Sequence, residues 1–199
     1  TTMYNYFCNH MSNEQVTTSR KFITLFGVVI ISVAFPAKFI IEMFLPEYAE
    51  ANAVIFILFA TQLVYLVIKG VYINLYKAYK KQQLYFIRLV LILFVGATLN
   101  YILVKIFYLK EAFAIGTLIS SLVWLFFCII DFKQYGYTIN EACFIFFILI
   151  SYIIIGILFK SYIGFFIYFF CGLFYGLLFM KVEIKQLYKI IKIHTEKKL

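Results

Sequence analysis

The stretch Ala53–Tyr76, AVIFILFATQLVYLVIKGVYINLY, decides the fold class. It exceeds the roughly 20 residues a helix needs to cross the hydrocarbon core, and its one formal charge is Lys69. A soluble amphipathic helix buries a single apolar stripe, whereas a helix apolar all round needs an apolar environment on every side. The strands of a transmembrane barrel span in about ten residues of alternating polarity, and no such alternation is present. Lipid offers backbone N–H and C=O groups no partner outside their own helix, so the stretch reads as a spanning helix.

Five further runs of the same kind flank it: Phe22–Leu45, Leu84–Tyr108, Ala112–Ile130, Ala142–Phe159 and Tyr162–Met180. The whole chain of 199 residues is 65% hydrophobic and 14% charged, where a soluble domain is about half apolar and a quarter charged. The expected fold is an all-α membrane protein, a bundle of about six transmembrane helices. Residues 1–20 read as the end of a preceding segment and a cytoplasmic loop, 21–180 as the six-span bundle, and 181–199 as a basic amphipathic tail. In that tail Ile184, Leu187, Tyr188 and Ile191 share one face, suited to an anionic membrane surface. The first apolar run starts too far in for a cleavable signal. The chain opens on Thr1, not Met, so a piece of a longer protein is expected.

The net charge of +9 is carried at span ends. Arg20, Lys21, Lys77, Lys80, Lys81, Arg88, Lys133, Lys181 and Lys185 mark one set of ends. The opposite ends hold Lys105, Lys110 and Lys160, and the turn Pro46–Asn52 has Glu47 and Glu50 with no base. The positive-inside rule predicts both termini on the cytoplasmic side. Bases placed this way orient a membrane protein and form no continuous stripe for nucleic acid. Cys8, Cys128, Cys143 and Cys171 show no paired spacing, and Cys8 with His10 lacks the companions a zinc site needs. No metal or cofactor is expected.

Polar groups at membrane depth carry what functional information there is, because each is costly in hydrocarbon. Gln62, Tyr65, Lys69, Tyr72 and Tyr76 follow a 3-4-3-4 spacing that predicts one helix face. A face of that kind suits an anionic, sugar-bearing substrate: Lys draws phosphate, while Tyr and Gln meet hydroxyls. Alternatively, Lys69 stretches to the headgroups and the tyrosines form an interfacial belt. Lys38 and Glu42 are an i,i+4 pair just after Pro36, which reads either as a coupling or gating element at a bend or as an ion pair near the outer surface. Arg88 lies where it could meet a phosphate or a headgroup, and Asn100 could bond a neighbouring helix. Gly116 with Ser120, and Gly172 with Gly176, have the small-residue spacing of close helix packing.

The turn Leu45–Ala51 (LPEYAEA) resembles the G-x-E-Y-x-x-A turn of bacterial polysaccharide and O-antigen flippases. A helix follows, then the basic turn Tyr76–Gln83 (YKAYKKQQ), a helix with Asn100, and Ala112–Thr117 (AFAIGT), which resembles the family's G-A-A-x-A-T helix start. Pro46, Lys110, Glu111 and Phe113 depart from the family's glycine-rich pattern. The resemblance covers about Arg20–Gly136, and the last two spans fit a C-terminal pair. It implies the C-terminal lobe of a two-lobed exporter of about 12–14 spans, built like other repeat transporters.

The implied activity is translocation of undecaprenyl-pyrophosphate-linked oligosaccharide across the bacterial cytoplasmic membrane. The implied partners are membrane lipid, the lipid-linked saccharide, the N-terminal lobe of the same protein and glycan-assembly proteins such as a polymerase. Rival readings are multidrug or cation extrusion, which needs acidic lumen residues, and a polytopic enzyme of glycan assembly. The enzyme is disfavoured because His10 and His194 lie near opposite ends and the carboxylates are scattered.

Overall fold

A computed structural model describes residues 12–107 and 111–185. Among these residues six helical segments are long and apolar enough to cross a membrane: Asn13–Phe44, Pro46–Ala78, Gln82–Ile106, Ala112–Asp131, Ile139–Leu158 and Ser161–Phe179. The chain is an all-α membrane bundle, as the apolar runs predicted. Cys8, His10, Lys110 and the tail beyond Lys185 lie outside the described residues; of the tail, residues 181–185 are helical.

The first span is two helices, α1 (Asn13–Ile31) and α2 (Ala34–Phe44). Ser12 caps α1, its hydroxyl accepting the Gln15 N–H at 3.3 Å. Helix thus begins well before Phe22, and residues 13–20 are its first turns, not a loop. The break between α1 and α2 follows from Pro36, which has no N–H to give the Ser32 carbonyl. That carbonyl accepts instead from the Phe35 N–H at 3.1 Å, Val33 N–H bonds back to Ile30, and the Ser32 hydroxyl donates to the Val29 carbonyl at 2.6 Å. Tightened three-residue bonds of this kind bend a helix.

The second span joins a short 3-10 turn, Pro46–Ala51, to α3 (Asn52–Val67), a π turn at Ile68–Tyr72, and α4 (Ile73–Ala78). It is the centre of the bundle, packed on the first, fourth and fifth spans. The third span, α5 (Gln82–Phe107), leans on α6 (Ala112–Asp131) at the periphery. There Gly116 is required: a Cβ would stand 2.0 Å from Asn100 Oδ1. Ser120 beside it donates to the Gly116 carbonyl at 2.6 Å. Both residues lie against the third span, and Asn100 Oδ1 finds no hydrogen-bond partner among the described residues.

After a second 3-10 turn at Lys133–Tyr135 come α7 (Ile139–Leu158) and α8 (Ser161–Phe179), packed as a pair. A reciprocal cap starts α7: the Glu141 N–H donates to Thr138 Oγ1, and the Thr138 N–H donates to Glu141 Oε2 at 2.9 Å. Toward the opposite end Phe35, Phe56, Tyr152 and Tyr168 interlock, with Phe35 and Phe56 centroids 5.0 Å apart and Tyr152 and Tyr168 centroids 5.2 Å apart. Phe56 can enter because Gly156 has no Cβ; one there would meet the ring at 2.1 Å. Gly172 and Gly176, expected to share a tight helix contact, differ: only Gly176 is closely approached, by Ile184 2.8 Å from where its Cβ would stand. A Cβ at Gly172 meets Val28 at an ordinary 3.8 Å, and Gly176 accommodates the tip of Ile184.

Candidate functional site

The polar groups of the bundle fall into two sets, and the π turn divides the residues of the second span between them. Each residue of a regular α-helix advances by the same angle, which would align Gln62, Tyr65, Lys69, Tyr72 and Tyr76. The wider turn at Ile68–Tyr72 resets that register. Its freed carbonyls are taken up by Asn74, whose amide donates to Lys69 O at 3.2 Å and Gly70 O at 2.9 Å. Tyr72 and Tyr76 consequently turn into the core, 0% and 1% exposed. The predicted single stripe of five is corrected to an outer set of three: Gln62 and Lys69 exposed, Tyr65 half-buried.

That outer set lies on an uncovered strip between two neighbours. On one flank Gly27 of α1 rests against Leu63 and Leu66. On the other, Tyr65 meets Trp124 of α6 edge-on at 5.9 Å. Leu58, Gln62 and Lys69 lie between these flanks and face outward. Lys69 Nζ is 5.4 Å from the Tyr65 ring centroid, a cation–π distance. Among the described residues no carboxylate pairs with it.

The inner set consists of cations neutralised within the bundle. Arg20 of α1 is fully buried and meets Glu141 of α7 through three hydrogen bonds, the shortest 2.9 Å. Its remaining N–H groups donate to the carbonyls of Tyr135 and Gly136, and its guanidinium stacks 4.2 Å from the Tyr137 ring centroid. Burial holds the Tyr137 phenol well above its usual range. The hydroxyls of Tyr72 and Tyr137 are buried without a hydrogen-bond partner among the described residues. Next to this cluster the Tyr79 and Tyr135 hydroxyls share a bond of 2.5 Å.

Arg88 of α5 makes a bidentate pair with Asp131 of α6 at 2.6 and 2.9 Å, and the Tyr76 hydroxyl donates to the same carboxylate at 2.6 Å. Arg88 and Tyr76 are therefore both fixed to Asp131. Lys38 is also buried. Its ammonium donates to the carbonyls of Gly156 and Phe159 at 2.9 and 2.8 Å, closing the C-terminal end of α7. Its expected partner Glu42 is farther away, at 3.8 Å, and accepts from Ser161 and Asn52.

The chain matches no family model, no curated protein and no solved structure. What the side chains do must therefore be argued from their geometry. The Arg20–Glu141 pair, invisible in the sequence reading, joins residues 121 positions apart. One signal was available. Thr138-x-x-Glu141 has the capping-box pattern, which places an acid at the start of a span on the same side as Arg20. Asp131, closing the fourth span near the basic turn, carried a similar hint as a partner for Arg88.

Proposed function

We propose that this chain is one lobe of a transporter that moves an anionic, saccharide-bearing lipid between leaflets. The observation that carries the reading is the uncovered strip of the second span. There Lys69, Gln62 and Tyr65 stand together on one span, and among the described residues no acid pairs with Lys69. In hydrocarbon such a face is costly; beside a shared aqueous path it is not. Lys69 offers a positive charge to a phosphate or pyrophosphate. The Gln62 amide and the Tyr65 hydroxyl offer bonds to sugar hydroxyls. A second lobe facing the strip would close the path, and rocking of the two lobes would open it to each leaflet in turn. The resemblance to polysaccharide flippases supports lipid-linked oligosaccharide as the substrate class and the bacterial cytoplasmic membrane, with both ends inside, as the setting.

Cation or drug extrusion would need a carboxylate on this strip. Glu42, the acid the sequence offered, stands instead at the far end of the first span beside Lys38 and Ser161. Tyr72, Tyr76 and Arg88 drop out of the proposed path, since they are buried or paired within the lobe.

The test is Lys69→Ala in the intact protein in its native cell. Surface glycan should fall while the amount of protein in the membrane stays constant, and Lys69→Arg should keep most of the export. Unchanged surface glycan in Lys69→Ala would remove the strip from the transport path. Dye efflux that depends on Lys69 while glycan export does not would favour the extrusion reading.

A further inference from the structure

The bend in the first span has a second consequence, on the other side of the bundle. Beyond the break α2 stays packed on α8. Before it, α1 diverges from α8 and leaves a cleft of about 460 Å³ between them, within the range of about 300–1,000 Å³ typical of sites that take a small molecule. Phe22, Phe26 and Val29 of α1 form one wall, Phe169 and Leu173 of α8 the other, and Phe144 of α7 lines the base. Gly172 widens it, since the nearest atom to a Cβ there would be Val28 at 3.8 Å.

The polar atoms at its margin are already satisfied. The Tyr168 hydroxyl donates to the Val28 carbonyl at 3.0 Å and the Ser32 hydroxyl to the Val29 carbonyl at 2.6 Å. The cleft therefore asks for hydrocarbon alone. Its rim, with Phe26, Val29, Phe169 and Leu173 exposed, opens sideways where lipid lies.

The turn that closes one end of the cleft carries charge, although of its residues only Ile184 lines the cleft. There the chain turns after α8 and Ile184 folds back against Gly176, closing the groove. Glu183 on the same turn is consumed by Lys21 at 2.6 Å. Lys181 and Lys185, which bracket Ile184, remain exposed, and among the described residues no acid pairs with either. An apolar slot ending at two uncompensated lysines has the layout of a hydrocarbon chain attached to an anionic headgroup.

We propose that the cleft between α1 and α8 holds one acyl chain of an anionic phospholipid, with its phosphate on Lys181 and Lys185. The bound lipid replaces the helix contact that the bend removes and wedges α1 against α8. The inference is independent of the transport reading, because it uses neither Lys69 nor the strip around it.

Native mass spectrometry of the full chain, titrated with phosphatidylglycerol or phosphatidylcholine, tests it. The wild type should retain one phosphatidylglycerol with a preference of roughly thirty-fold over phosphatidylcholine, the scale set by two surface lysines at about 1 kcal/mol each. Lys181→Ala with Lys185→Ala should abolish the preference. Gly172→Phe, where a Cβ meets nothing closer than Val28 at 3.8 Å, should abolish retention of both lipids while its unfolding midpoint in detergent stays at the wild-type value. Equal retention of the two lipids by the wild type would overturn the proposal, as would undiminished retention in Gly172→Phe. Displacement of the phospholipid by a polyprenyl phosphate would assign the cleft to another lipid and overturn it too.

Discussion

Arg20 and Lys69 are both cations on helices of neighbouring spans, and the bundle treats them oppositely. Arg20 is fully buried, its charge met by Glu141 and its remaining donors by two backbone carbonyls. Lys69 is exposed, with an aromatic face near it and no carboxylate paired to it among the described residues. Arg88 and Lys38 follow the pattern of Arg20, each tied to a neighbouring span. In a medium that cannot solvate a charge, a cation needed only for architecture is neutralised by the architecture. Lys69, left facing outward between two flanking helices, is the better guide to function.

The largest expected effect falls on the inner set. Glu141→Ala leaves the Arg20 guanidinium uncompensated and removes a helix cap, so unfolding in detergent should become easier by about 3–5 kcal/mol. Arg20→Met combined with Glu141→Leu should recover most of that loss. If the single and double variants were equally unstable, the pair would not be a coupled unit. Asp131→Asn should cost less, about 1.5–3 kcal/mol, because it weakens charge-assisted bonds from Arg88 and Tyr76 without stranding a fully buried ion. The same denaturation midpoint reads it, and no shift would mean that Asp131 is spare.

A smaller effect concerns alkaline pH. Burial and the bond with Tyr79 push the Tyr135 phenol from 10.0 up to about 12. The folded chain then keeps a proton that the unfolded chain releases. The resulting stability is intact below the unfolded value and is lost as pH rises through the folded one. Tyr135→Phe should flatten that alkaline decline, measured as unfolding midpoint against pH; an unaltered decline would assign it to other groups. The smallest effect on stability belongs to Lys69→Ala, which should move the midpoint by no more than about 0.5 kcal/mol. A large loss there would make Lys69 architectural and dissolve the contrast with Arg20.

The spans were legible because hydropathy over a helix length reports the solvent directly. Ala112–Ile130 and Ala142–Phe159 were read to within a few residues of α6 and α7. The start of the first span was misplaced because Arg20 and Lys21 read as interfacial charges, and nothing local shows that Glu141 and Glu183 will neutralise them. The alignment of Tyr72 and Tyr76 with Lys69 failed because fixed helical periodicity cannot foresee a π turn. Gly172 and Gly176 differ in their neighbours, 3.8 Å and 2.8 Å from a Cβ, and spacing could not show it, because it records which side chains are small and not what lies opposite. At Gly116, by contrast, Asn100 on the facing helix fills the space the glycine leaves.

The most direct test of the contrast is the solvent that meets each face. Single cysteines in place of Gln62, Tyr65 and Lys69, with Cys8, Cys128, Cys143 and Cys171 replaced by Ala, would be exposed to a charged, membrane-impermeant maleimide in the intact protein. Labelling at all three is predicted, with none at Phe94→Cys, a position 69% exposed on the third span. If all four positions proved equally unreactive, the strip would face lipid, and Lys69 would have no aqueous path to serve.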